Sequence, residues 1–120
     1  MRHVESKIQI GCVKWFRLQY PCLWRLLFSV PNGGGRSAVE GQILKAEGVV
    51  SGVSDLVLLY PSGGYHGLCI EMKTERRGSR QRPSQVEWQK AVEGVGYKYV
   101  ICRSLESFIS EINNYVQGVK

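Results

Sequence analysis

The stretch Gly52-Val53-Ser54-Asp55-Leu56-Val57-Leu58-Leu59-Tyr60-Pro61-Ser62-Gly63-Gly64-Tyr65-His66-Gly67-Leu68-Cys69-Ile70-Glu71-Met72-Lys73 decides the fold. Two runs with strand composition, Asp55–Tyr60 and Gly67–Lys73, flank the turn signal Pro61-Ser62-Gly63-Gly64. Apolar runs on either side of such a turn pair as an antiparallel hairpin. The first residue of one strand then lies beside the last residues of its partner. Asp55 and Glu71 are thereby expected at one edge of the sheet. Strand side chains alternate, so Glu71 and Lys73 share a face and Met72 takes the other.

Upstream, Ile8, Cys12, Trp15, Phe16 and Gln19 recur at helical spacing, which predicts a helix from Glu5 to Tyr20, ended by Pro21. A short strand is expected over Arg25–Val30, a glycine-rich loop over Pro31–Arg36, and a second helix from Ser37 to Glu47 closed by Gly48. Downstream, Arg76–Pro83 is a polar loop, and Ser84-Gln85-Val86-Glu87 has the form of a capping box opening a third helix. A strand over Tyr97–Cys102 and a helix bearing Leu105, Phe108, Ile109, Ile112, Tyr115 and Val116 on one face complete the chain. The order α-β-α-β-β-α-β-α argues a single α/β domain over residues 1–120, a mixed sheet flanked by helices.

Composition fits that picture and excludes others. The chain has 120 residues, 43% hydrophobic and 22% charged, which is the balance of a folded domain rather than a disordered one. Sixteen Lys and Arg against ten Asp and Glu give +6, which favours polyanionic partners, nucleic acid first. Arg17, Pro21 and Arg25 interrupt the densest apolar stretch, so no membrane span is expected, and the start lacks the apolar core of a secretory signal. The four cysteines show no C-x-x-C pair, so zinc ligation is not expected, and free thiols in a reducing cytoplasm are.

Two carboxylates and a lysine at one sheet edge are what phosphodiester hydrolysis needs. Hard divalent cations take oxygen ligands from carboxylates, carbonyls and water. Bound there, such a cation lowers the pKa of water and offsets charge on phosphate oxygens. Lys73 is placed to hold or help deprotonate the attacking water, and the Met72 carbonyl between the two active side chains offers one more ligand. The competing explanation is a cross-hairpin salt bridge, which is frequent and worth little.

This arrangement resembles the PD-(D/E)XK nuclease superfamily. More narrowly, Glu5…Gln9, Gly48…Gly52-Val53-Ser54-Asp55-Leu56, Glu71-Met72-Lys73 and Gln85 resemble the VRR-NUC family, from Glu5 to about Arg103. Ser54 stands where the superfamily has proline, and Val100-Ile101-Cys102-Arg103 matches the Val-Arg-Arg signature only loosely. The resemblance implies a restriction-endonuclease-like fold and Mg²⁺- or Mn²⁺-dependent cleavage of DNA, commonly branched DNA such as a four-way (Holliday) junction. Asp55 and Glu71 would be metal ligands, Lys73 the catalytic lysine, and Glu5 the first-helix glutamate that completes the metal site. Gln85 matches the family glutamine, expected to position water or phosphate. Family members occur as small stand-alone proteins in bacteriophages, which implies the host cytoplasm and a homodimer. The alternative is a non-catalytic DNA-binding module on the same fold, which would have no need of Asp55, Glu71 and Lys73 together.

Lys73, Arg76, Arg77, Arg80 and Arg82 crowd basic charge into ten positions. Such runs are usually solvated loops. Beside a phosphate-cleaving site, Arg76, Arg77, Arg80 and Arg82 are expected to clamp the DNA backbone without reading sequence. Asn32-Gly33-Gly34-Gly35 lacks the Gly-Lys-Ser/Thr ending of a phosphate-binding loop, so nucleotide binding is not expected there.

Overall fold

A computed structural model describes residues 2–31, 37–74 and 80–117, with the side chains of 2–4 left aside. The elements run α1 (Arg2–Gln19), a 3₁₀ helix (Pro21–Leu26), β1 (Leu27–Ser29), α2 (Ala38–Ala46), β2 (Leu56–Leu58), β3 (Leu68–Met72), α3 (Pro83–Gly94), β4 (Lys98–Cys102) and α4 (Leu105–Val116). This is the order the sequence predicts. The first strand is shorter than expected because the 3₁₀ helix, begun at Pro21, takes up residues through Leu26. The expected loop over residues 32–36 lies outside the described residues.

The four strands form one sheet in the order β1-β2-β3-β4. β1 and β2 pair antiparallel, as do β2 and β3, with Leu56 opposite Ile70 and Leu58 opposite Leu68. β4 returns through α3 to lie parallel to β3, with Glu71 opposite Ile101 and Cys69 opposite Tyr99. At the hairpin tip Ser62 and Tyr65 exchange backbone hydrogen bonds of 3.1 and 2.9 Å. Gly63 and Gly64 both have positive φ, +59° and +88°. That pair of conformations belongs to a type I′ turn, whose twist matches the strands it joins.

One face of the sheet carries Leu56, Leu58, Leu68, Ile70, Met72, Val100 and Cys102 into the main core. Cys12 and Phe16 of α1, and Phe108, Ile112 and Tyr115 of α4, close over it at helical spacing. Tyr115 also latches the hairpin, donating its hydroxyl to the Tyr60 carbonyl at 2.6 Å. Residues of β3 are buried on both faces. The second face, with Cys69, Glu71 and Tyr99, faces α3, where Trp88 meets the Tyr99 ring edge-on at 6.2 Å between centroids. Among the described residues no helix is long and apolar enough to cross a membrane.

Candidate functional site

The site forms where β2 begins and β3 ends. The antiparallel register would place Ser54 opposite Met72, but β2 starts only at Leu56, so Met72 lacks a strand partner there. The Asp55 side chain substitutes: the Met72 amide donates to Asp55 Oδ2 at 2.7 Å. This bond fixes the first carboxylate at the edge. It also explains why an aspartate, with its short side chain, suits this position. On the other side of β3, the Lys73 amide donates to the Cys102 carbonyl at 3.0 Å and extends the parallel ladder by one bond.

Glu71 is 2% exposed, and each of its oxygens has a donor. Gln85 Nε2 donates to Oε2 at 2.8 Å, and the Tyr99 hydroxyl donates to Oε1 at 3.2 Å. Gln85 is itself held, because its Oε1 accepts from the Arg82 amide at 2.7 Å. An acceptor at one end and a donor at the other fix the amide orientation. Burial pushes the Glu71 carboxyl up to about 8, and the neighbouring Asp55 charge and a hydrogen bond with Asp55 push the same way. The Lys73 charge and the Tyr99 hydroxyl act in the opposite sense. Asp55, Glu71 and Lys73 therefore do converge, as the hairpin predicts.

The Gln85 contact corrects the expected cap. The third helix is capped at Arg82, not Ser84, and its third position is Gln85 rather than a residue paired with Glu87. Arginine has no acceptor, so only the Gln85 half of the reciprocal pair exists. The amide that caps the helix is thus the amide that grips Glu71. Gly52 makes this possible. Its φ is +86°, and a Cβ there would lie 2.3 Å from the Ser84 carbonyl oxygen. Only a glycine lets the approach to Asp55 run against the first turn of α3.

Glu5 sits on α1 and lines an open groove that also reaches Asp55. Among the described residues no three His, Cys, Asp or Glu side chains gather closely enough to hold a metal ion. Glu5 consequently stands apart from the Asp55–Glu71 pair. Asp55 and Glu71 nonetheless offer the oxygen donors that a hard cation takes, and a divalent cation would displace the proton that burial and Asp55 otherwise keep on Glu71. Arg80 and Arg82 are exposed beside α3, and Arg76 and Arg77 lie outside the described residues.

Two residues of the site escape a reading by motif. Tyr99 reaches Glu71 only through the parallel register of β4, which no local pattern encodes. Gln81 donates to the Tyr99 hydroxyl at 3.2 Å and to Gln89 Oε1 at 2.8 Å, continuing the network toward the surface. Arg103, at the loosely matched end of the signature strand, donates to the Thr74 carbonyl at 2.8 Å and so ties down the chain just after Lys73.

The mixed sheet flanked by helices is the fold of a known domain family, whose members are nuclease-type DNA-binding domains. The sequence profile of the VRR-NUC domain matches residues 4–106, and the chain belongs to that family. A solved structure described as a VRR_NUC domain protein is similar, with 28% identity and a TM-score of 0.81 over 94% of this chain and 88% of that one. No curated protein matches significantly.

Proposed function

We propose that this domain is a Mg²⁺- or Mn²⁺-dependent DNA endonuclease that hydrolyses phosphodiesters at the Asp55–Glu71–Lys73 edge. The observation that carries the proposal is the acid pair itself. Asp55 and Glu71 lie together with Glu71 buried and pushed to about 8, an arrangement unfavourable for a mere salt-bridge surface. Asp55 and Glu71 would hold the cation, with the Met72 carbonyl on the same edge, and Glu5 would join through water, since Mg²⁺ keeps several of its waters. When bound, the cation supplies charge stabilisation at the phosphate and a more acidic water. Gln85 and Tyr99 orient Glu71. Lys73 orients the attacking water and offsets phosphate charge. Arg80 and Arg82, with Arg76 and Arg77, supply phosphate contacts that hold the strand in reach.

Branched DNA, a four-way junction in particular, is the proposed substrate, and a homodimer the proposed active unit. Phosphate contacts of this kind select by geometry rather than by base identity. α2 buries no side chain, and its Val39 and Ile43 are 65% and 52% exposed, which suits an interface with a second copy. Two copies about a two-fold axis would present two cutting edges to a symmetric junction.

The test is cleavage of labelled junctions and linear duplexes with Mn²⁺ and with chelator. Asp55→Ala or Glu71→Ala should abolish cleavage while metal-free DNA binding persists. Lys73→Ala should remove most turnover yet leave Mn²⁺ binding intact by calorimetry. Undiminished cleavage in EDTA would overturn the mechanism, and inactive wild type with intact DNA binding would favour a non-catalytic module.

A further inference from the structure

The groove that reaches Asp55 has a use that the acid pair does not exhaust. It has a volume of about 800 Å³ and is walled by α1 from Glu5 to Leu18 and by the chain at Ser29–Pro31. That is within the size range of specific ligand sites, roughly 300–1,000 Å³. Its α1 wall is chemically divided. Ile10 and Leu18 are 63% and 80% exposed, which leaves apolar side chains open along the groove. Lys14 and Arg17 lie on the same wall, because residues three and four apart share a helix face. From Glu5 to Arg17 the wall runs about 18 Å at the helical rise.

We infer that this groove holds a stretch of the DNA strand unpaired at the branch point, next to the bond that is cut, with Lys14 and Arg17 on its phosphates and Ile10 and Leu18 against its bases. The inference rests on the nuclease proposal above and adds the path by which the strand approaches. An occupant must be anionic and apolar together, and must be able to continue to Asp55. A duplex offers phosphates and sugars outward and keeps its base faces stacked within, so it would meet the cations but leave Ile10 and Leu18 uncovered. An unpaired strand offers both surfaces. Arg17 is prepared for the contact: its guanidinium carbon lies 4.2 Å from the Trp24 ring centroid, so the side chain is already held by the exposed ring. The acidic end of the groove, at Glu5 and Asp55, is where the proposed cation would receive the strand.

Fluorescence anisotropy of the whole protein with a labelled oligothymidylate and with a hairpin duplex, both in EDTA, tests the inference. Lys14→Ala and Arg17→Ala should each flatten the slope of log affinity against log salt for the single strand by about 0.7. Leu18→Ser, at a side chain too exposed to unfold the helix, should weaken single-strand binding severalfold at unchanged slope. Duplex affinity should change by less than about twofold in Leu18→Ser, because a duplex leaves that side chain uncovered. Equal losses for both DNAs in Leu18→Ser, or unchanged single-strand slopes in Lys14→Ala and Arg17→Ala, would overturn it. So would a Leu18→Ser variant that dissociates from dimer to monomer in sedimentation while still binding the oligonucleotide normally. Because binding is read without cleavage, active Asp55→Ala protein would refute the nuclease centre and leave this groove standing. An inactive Asp55→Ala protein with unaltered groove variants would refute the groove alone.

Discussion

Glu71 shows how much one buried side chain asks of its surroundings. Its carboxyl sits near 8 in the fold, against an ordinary value of 4.5. Between those values the unfolded chain has released a proton that the folded chain retains, so stability falls as pH rises through the interval. Below 4.5 both states are protonated and the group contributes its full favourable share; above 8 that share is gone. The melting temperature of metal-free protein should therefore drop by a few degrees from about pH 5 to about pH 8. Glu71→Gln should flatten the profile, and Mg²⁺ or Mn²⁺ should restore the alkaline loss in the wild type. A flat wild-type profile in EDTA would show that Glu71 is not held protonated. The presence of Asp55, Glu71 and Lys73 at one edge was legible from alternation and a turn. The burial of Glu71 was not, because its donors come from α3 and β4, and hydropathy says nothing about which helix covers a glutamate.

Among the elements, the hairpin and the terminal helix were the most readable. A glycine pair between apolar runs admits few backbones, and Phe108, Ile112 and Tyr115 repeat at the spacing of one buried helical face. The frame of α3 was less so. Ser84 followed by Glu87 fits a capping box as a string, but Pro83 suits the first helical turn, where its missing amide costs nothing, and this moves the cap to Arg82. That shift places Gln85 over Glu71, so a small error in the helix start concealed a contact of the site. The close approach of Gly52 to Ser84 fixes the same geometry. Gly52→Ala should strain the positive φ and force α3 outward, with a destabilisation on the order of 2 kcal/mol or more. Urea denaturation measures the loss, and cleavage should fall further than the folded fraction does, because Gln85 leaves Glu71. A proportional fall would mean that the contact serves stability only.

At the scale of the whole molecule, charge and the proposed two-fold pairing make the predictions. A charge of +6 on 120 residues favours binding to DNA through its phosphates. If two copies act together, light scattering should give a dimer at assay concentrations, and Val39→Glu or Ile43→Glu on α2 should produce monomers. Those monomers should cut a junction no faster than a linear duplex of equal length. A monomeric wild type that still cuts junctions normally would remove the dimer from the mechanism. The mixed sheet and its element order could be read from sequence, since each segment carries its own period. The homodimer was expected only from the family resemblance, because the exposed apolar residues of α2 carry no signature of their own for a partner.

The partners of Glu71 lie late in the chain. Gln85 arrives with the crossover helix and Tyr99 with the parallel strand. A growing polypeptide that has emerged only as far as Lys73 can fold its hairpin and still lack both. Parallel pairing across a helical connection is also slower than local hairpin closure. Recovery of cleavage after dilution from denaturant should accordingly lag behind recovery of the far-ultraviolet dichroism signal. If the proposed cleavage is its activity, the chain would then be harmless during its own synthesis and able to cut only once its final third has docked.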